Sequence, residues 1–253
     1  MNIVNYDGSF EGFLTAVFEI YEYKIIQPSI CNQAMGDSSL FGQMHNVVSD
    51  KIKSQRVLNK LHEKVGRPGT LQLYKVFLSE IREIENVLLR YIQYTLNSKK
   101  SIQSDYSNAD VLTVHQVNRK VHREKHRMEA FVRFQCTQDQ LYYSIIQPDY
   151  NVLPLIINHF EKRYADQRWL IYDIRRKYGL YYDLQKVDEV SINFDLDLNN
   201  EKALQTIFDE KEELYQTLWQ QYFQSVNIKA RKNMKLHIQH MPRRYWRYLV
   251  EKK

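Results

Sequence analysis

The sequence predicts an α+β fold in which the middle of the chain forms an antiparallel sheet, flanked by helices from its N- and C-terminal parts. Three observations support this. Apolar residues recur at helical spacing through most of residues 1–128. Residues 129–193 carry short runs rich in aromatic and β-branched residues. From residue 194 the helical spacing returns. The chain of 253 residues is read as a single domain, 1–253, with these three stretches as subregions.

A short strand is expected near Ile3 and Val4. Tyr6-Asp7-Gly8-Ser9 then reads as a turn and N-cap. Phe10, Phe13, Leu14, Val17, Phe18 and Tyr21 follow at helical spacing until Pro28 stops the run. Leu40-Phe41-Gly42 falls in a connecting segment. Ser49 or Asp50 can cap a helix carrying Leu58, Leu61 and Val65, closed by Gly66. Pro68-Gly69-Thr70 marks a break, and a helix through Leu71, Tyr74, Phe77 and Ile81 follows. The stretch Ile84 to Ile92 continues it. Residues 97–108 are polar and loop-like, and Asp110 is placed to cap a helix running to about Met128.

Phe131 to Cys136 and Leu141 to Ile146 read as a hairpin around Thr137-Gln138-Asp139-Gln140. Asn151 can cap a helix with Pro154 in its first turn, where proline is tolerated. Trp169 to Ile174, Leu180 to Tyr182 and Val187 to Ile192 complete the predicted strands. Leu204 to Phe223 is a long amphipathic pattern, and Met241-Pro242 opens a last helix.

Composition bounds the chemistry. The hydrophobic fraction is 43%, enough for a sizeable core rather than a disordered chain. Cys31 and Cys136 are the only cysteines, so this chain alone builds neither a zinc ribbon nor a cysteine-ligated iron–sulfur cluster. No G-x-G-x-x-G or G-x-x-x-x-G-K occurs, which argues against a nucleotide-binding loop. No cofactor and no metal is expected. The first residues lack the basic and apolar regions of a secretory signal, and no apolar run reaches membrane-spanning length. A cytoplasmic protein without membrane contact is therefore expected.

Charge is segregated. The formal net charge is +6, yet residues 226–253 hold nine Lys or Arg against Glu251, which places the whole basic excess there. His115 to Arg133 is a second basic stretch with three histidines, while Asp183 to Glu213 is strongly acidic. Such segregation is the footprint of a polyanion binder. Solvated helix faces, or neutralisation of the basic segment by the acidic one, explain the charge equally well.

Two constellations could carry function. His115, Arg119, His122 and His126 fall within about 60° of one helix face, separate from Val114, Val117, Val121 and Met128. This stripe fits phosphate better than a metal, because lysines and arginines surround it, and an ordinary solvated face better than either. Glu124, Arg133, His159, Arg163, Asp173 and Arg176 arise around the predicted sheet. A histidine with a carboxylate is the minimum for acid–base work, and Arg–carboxylate pairs within the fold are the alternative. In Pro242-Arg243-Arg244-Tyr245-Trp246-Arg247-Tyr248, cations alternate with aromatics. Arginine can hold phosphate there while Tyr or Trp stacks on a base. Alternatively, Trp246 and Leu249 dock the segment on the core.

A family resemblance runs along nearly the whole chain. It starts at Tyr6-Asp7-Gly8-Ser9-Phe10-Glu11-Gly12-Phe13-Leu14 and continues through Leu40-Phe41-Gly42, His126-Arg127-Met128 and Phe131-Val132-Arg133-Phe134. Pro148-Asp149, Asn151-Val152-Leu153-Pro154, His159-Phe160 with Arg163, and Trp169 with Asp173 and Arg176 follow. It ends at Met241-Pro242-Arg243-Arg244-Tyr245-Trp246. These motifs resemble a bacterial family of DNA metabolism or repair proteins, a domain of unknown function. That family is linked in genomes to a radical-SAM protein of DNA modification or repair, and a similar domain occurs fused to uracil-DNA glycosylase-type domains. Tyr150 stands where the family pattern expects histidine, which makes position 150 a poor essential base.

The resemblance implies a pathway rather than a mechanism. The first expectation is a DNA-binding accessory to a radical-SAM or glycosylase-type enzyme. DNA would be held by Arg243, Arg244, Arg247 and Lys232, with Trp246 stacking. His115, Arg119, His122, Arg127, Arg133, Arg163 and Arg176 are the further anion-binding candidates. The second expectation is a catalytic domain using His126, His159 and Asp173. The third is a protein–protein adaptor without DNA contact.

Overall fold

The computed structural model describes residues 2–32, 43–137, 140–191, 238 and 241–249. Lys232, Leu40-Phe41-Gly42 and the amphipathic run 204–223 lie outside the described residues. The chain divides into two compact units, Met1–His122 and Arg123–Lys253.

In the first unit, β1 (Asn2–Tyr6) is followed by α1 (Phe10–Glu22), β2 (Pro28–Asn32), β3 (Gln43–Asn46), α2 (Lys51–Phe77) and α3 (Ile84–Asn97). The three strands form a sheet in the order β2-β1-β3, with both pairings parallel. Only one short strand was legible here, because the others are four or five residues long and show little alternation. Ser9 caps α1 by accepting from the Gly12 N–H at 2.8 Å. Asp50 caps α2, taking the amides of Ile52 and Lys53 at 2.7 and 3.0 Å. Tyr6, Phe10, Phe13 and Phe77 pack ring against ring between the sheet and the helices.

The predicted break at Pro68-Gly69-Thr70 is a kink two residues earlier. Gly66 has φ 70 and ψ 173, a conformation open to glycine, and Pro68 sits in the first turn of the resumed helix. The stretch from Ile84 does not continue that helix. It starts anew as α3 after a turn in which Glu80 and Glu83 take left-handed φ values.

The division between units falls within α4 (Ala109–Phe131). Asn108, not Asp110, caps this helix. Its Oδ1 accepts from the Asp110 and Val111 amides at 2.9 and 3.2 Å, and Asp110 instead pairs with Arg90. Val111, Val114, Val117, Val121, Glu124 and Met128 are buried along one stripe of α4. The apolar side of the helix therefore lies where its spacing put it, with one carboxylate included.

The second unit holds β4 (Gln135–Cys136), β5 (Tyr142–Ile146), α5 (Leu153–Arg163), β6 (Trp169–Asp173), β7 (Tyr178–Tyr182) and β8 (Val187–Val190). A 3₁₀ helix at Arg243–Tyr248 follows. The sheet order is β4-β5-β6-β7-β8. The expected antiparallel sheet is in fact mixed: β5 pairs parallel with β6, and the other pairings are antiparallel. The cause is α5. At about 1.5 Å per residue its 11 residues match the length of a five-residue strand, so the crossover returns the chain to the starting edge. Asn151 does not cap α5, whose N-cap is Val152. Asn151 instead accepts a hydrogen bond from the Tyr178 hydroxyl at 2.5 Å. Trp169 anchors the core at 0% exposure against Phe160, Phe134 and Tyr182. Among the described residues no helix is long and apolar enough to cross a membrane.

Candidate functional site

The C-terminal segment Pro242–Leu249 is short, docked through two buried side chains and chemically divided. Tyr245 and Leu249 are buried at 2% and 0% exposure, which anchors the turn on the second unit. Burial of two such side chains contributes about 1.5–3 kcal/mol each. The Trp246 indole N–H donates to the Met241 carbonyl at 3.0 Å, and the Tyr248 hydroxyl donates to Gln147 Oε1 at 2.9 Å. Because this helix is 3₁₀, residues three apart share an edge. Arg243 therefore lies with Trp246, and Arg244 with Arg247. The predicted alignment of Arg243 with Arg247 on one α-helical turn does not form.

The three arginines have different fates. Arg244 Nη2 meets Glu124 Oε2 and Asp149 Oδ2, both at 2.8 Å, and donates to the Tyr245 hydroxyl. Arg243 lies over the Trp246 ring at 5.8 Å, and Arg247 over the Tyr248 ring at 4.6 Å. Both are exposed, and among the described residues neither pairs with a carboxylate.

Beneath the segment sits Glu124, 1% exposed. Its Oε1 accepts from the Tyr245 hydroxyl at 2.6 Å and the Asp149 amide at 2.9 Å. Its Oε2 takes Arg244, with Arg127 at 3.6 Å. A buried carboxylate persists only when its lone pairs are met in this way. Burial, then the hydrogen bond and charge of Glu124, push the Tyr245 phenol well above its ordinary value. Burial draws the Arg244 guanidinium down, but Glu124, Tyr245 and Asp149 outweigh it and hold the group above its usual range.

Pro148-Asp149 ties this cluster to a second one. The Asp149 carbonyl accepts from Arg175 at 2.9 Å and Arg176 at 3.2 Å, and the Pro148 carbonyl accepts from Arg176 at 3.2 Å. Asp173, at 0% exposure, pairs with Arg176 at 2.8 Å and caps the turn after β6 through the Arg175 and Arg176 amides. Asp173 and Arg176 thus hold the fold together rather than facing a substrate.

The other two catalytic candidates do meet. His126 Nδ1 lies 3.2 Å from Glu129 Oε2, and His159 Nδ1 lies 3.9 Å from Glu129 Oε1. Lys125 also binds Glu129. The proposed trio is therefore divided: two histidines share a carboxylate that sequence reasoning passed over, and Asp173 serves the arginine cluster.

The anion-binding candidates also divide. Arg127 and Arg176 turn to internal carboxylates, and Arg133 donates to the Ala130 and Val132 carbonyls. Arg119, His122 and Arg163 are exposed, and His115 stacks edge-on with Tyr106. Glu129, Gln147 and Tyr245 carry much of the site's geometry and were not singled out. Glu129 had a signal, since it stands three residues from His126. Among the described residues no group of three or more His, Cys, Asp or Glu is arranged to hold a metal ion.

No curated protein and no solved structure matches the chain. A family model does match, over residues 82–251, about two-thirds of the chain. The matched stretch contains the Glu124, Glu129 and Asp173 clusters and the Arg243–Tyr248 helix. The chain belongs to the family described as a domain of unknown function, DUF4130.

Proposed function

We propose that the chain is a nucleic-acid-binding protein whose Arg243–Tyr248 helix contacts a sugar–phosphate backbone, as an accessory to an enzyme of DNA repair or modification. The observation that carries this reading is the division of labour among the three arginines. Arg244 is paired with Glu124 and Asp149, whereas Arg243 and Arg247 are exposed beside aromatic rings with no carboxylate partner among the described residues. Cations next to flat aromatic faces suit phosphate and base together. Segregation of the positive charge to residues 226–253 supports the same partner. The resemblance to proteins linked with a radical-SAM enzyme supports a repair setting. In that setting the partner would carry the cluster that two cysteines cannot ligate.

The test is fluorescence anisotropy with a labelled DNA oligonucleotide, comparing wild type with R243A/R247A. The double variant is expected to bind at least about tenfold more weakly, since each lost phosphate contact forfeits counterion release. Equal affinity overturns the reading. Retention of the radical-SAM protein on nuclease-treated resin, with no DNA affinity, would favour an adaptor instead.

A second reading rests on the two histidines at Glu129. Glu129 lies within hydrogen-bond distance of His126 Nδ1 and 3.9 Å from His159 Nδ1, and a carboxylate at Nδ1 can orient an imidazole for acid–base work. Loss of a DNA-processing activity in H126Q or H159Q, with DNA affinity kept, would support it. Full activity in both variants would remove it.

A further inference from the structure

The contact of His126 and His159 at Glu129 joins two helices that each carry exposed cations on neighbouring turns. On α4, Arg123 precedes His126 by three residues and is exposed. On α5, Lys162 and Arg163 follow His159 by three and four residues and are exposed as well. These spacings keep each set on one side of its helix. His126 is 61% exposed and His159 35%, whereas Glu129 is 13% exposed beneath them with Lys125 as its partner.

A favourable helix dipole accounts for Lys162 and Arg163, which lie in the last turn of α5. It does not account for Arg123 and His126, which lie inside α4. The other arginines considered as anion contacts in this unit, Arg127, Arg133 and Arg176, are drawn to carboxylates or backbone carbonyls. Arg123, Lys162 and Arg163 remain outward on the turns that flank the Glu129 contact.

We propose that this α4–α5 surface, with Arg123, His126, His159, Lys162 and Arg163, is a second phosphate-binding surface for a nucleic-acid backbone. The proposal rests on the nucleic-acid reading and adds a contact separate from the Arg243–Tyr248 helix. Glu129 lies on the Nδ1 side of both imidazoles, and the three exposed cations stand on the adjacent turns, where phosphate oxygens can meet them.

The experiment measures anisotropy of a fluorescein-labelled oligonucleotide over a series of salt concentrations. The proteins are wild type, R123A/R163A, R163K and R243A/R247A. R123A/R163A should bind more weakly, with a salt slope smaller by about 1–2. R163K, which keeps the charge, should bind like wild type. The proposal is overturned if R123A/R163A matches wild type in affinity and slope. Should R243A/R247A be weakened in that same experiment, the C-terminal helix stands and this surface alone fails. Loss in R123A/R163A with full affinity in R243A/R247A would reverse the assignment.

Discussion

Replacing Glu124 by glutamine is expected to loosen the second unit without changing its shape by more than one atom. Glu124 is 1% exposed and accepts from Tyr245, the Asp149 amide and Arg244 within 2.6–2.9 Å. Glutamine keeps one carbonyl oxygen for Tyr245 and Asp149, but it turns an N–H₂ group against Arg244. Breaking one side of a buried pair costs about 3–5 kcal/mol; the surviving acceptor and an Arg244 that is 38% exposed place this substitution at the low end, about 3 kcal/mol. The reporter follows this unit, because Trp169 and Trp246 lie in it. Urea unfolding followed by tryptophan fluorescence should show a midpoint lower by about 1–2 M, for a slope of about 1.5–3 kcal/mol per molar. Adding Arg244→Met should recover more than about 1 kcal/mol of the loss, as expected for residues in direct contact. A midpoint unchanged in E124Q, or a double variant that is simply additive, would refute the claim that Glu124 and Arg244 form one stabilising unit.

Buried tyrosines make alkaline pH a second probe. Burial raises the phenols of Tyr178, Tyr245 and Tyr248 above the ordinary value. The unfolded chain then loses those protons first, so the stability of the second unit should fall as pH rises through about 10, with Y245F blunting the fall. A urea midpoint that stays flat across that range would count against the buried hydroxyls. In the first unit, a methyl group on Gly12 would lie 2.2 Å from Asp7 Oδ1 and 2.8 Å from Ser49 Oγ. G12A should therefore lower stability by about 1–3 kcal/mol, read from a far-ultraviolet circular dichroism melt. An unaltered melt would mean that the Asp7 loop yields freely.

Much of this architecture was legible because burial imposes period. The valines of α4 alternate at helical spacing, and the strands of the second unit are aromatic and β-branched, so both stood out. The three-stranded parallel sheet was mostly hidden, since Pro28–Asn32 and Gln43–Asn46 are short and polar in places. The sense of β6 depends on what α5 does in three dimensions, and local pattern carries no such information. Helix caps were ambiguous wherever two polar residues stood together, which is how Asn108 displaced Asp110.

The site was legible as composition and hidden as geometry. Arg243, Arg244 and Arg247 are equivalent as letters. The buried Glu124 draws Arg244 into a pair, while Arg243 and Arg247 lie over aromatic rings. His126 and His159 are 33 residues apart and meet only because α5 packs near α4 at Glu129. Asp173 looked like an acid–base group and is spent on Arg176 and a turn.

The salt dependence of DNA binding tests the central claim most directly. The logarithm of the binding constant, plotted against the logarithm of salt concentration, should be shallower for R243A/R247A by about 1.8, or about 0.9 for each phosphate released. An identical slope in wild type and variant would mean that the outward arginines of this helix touch no backbone.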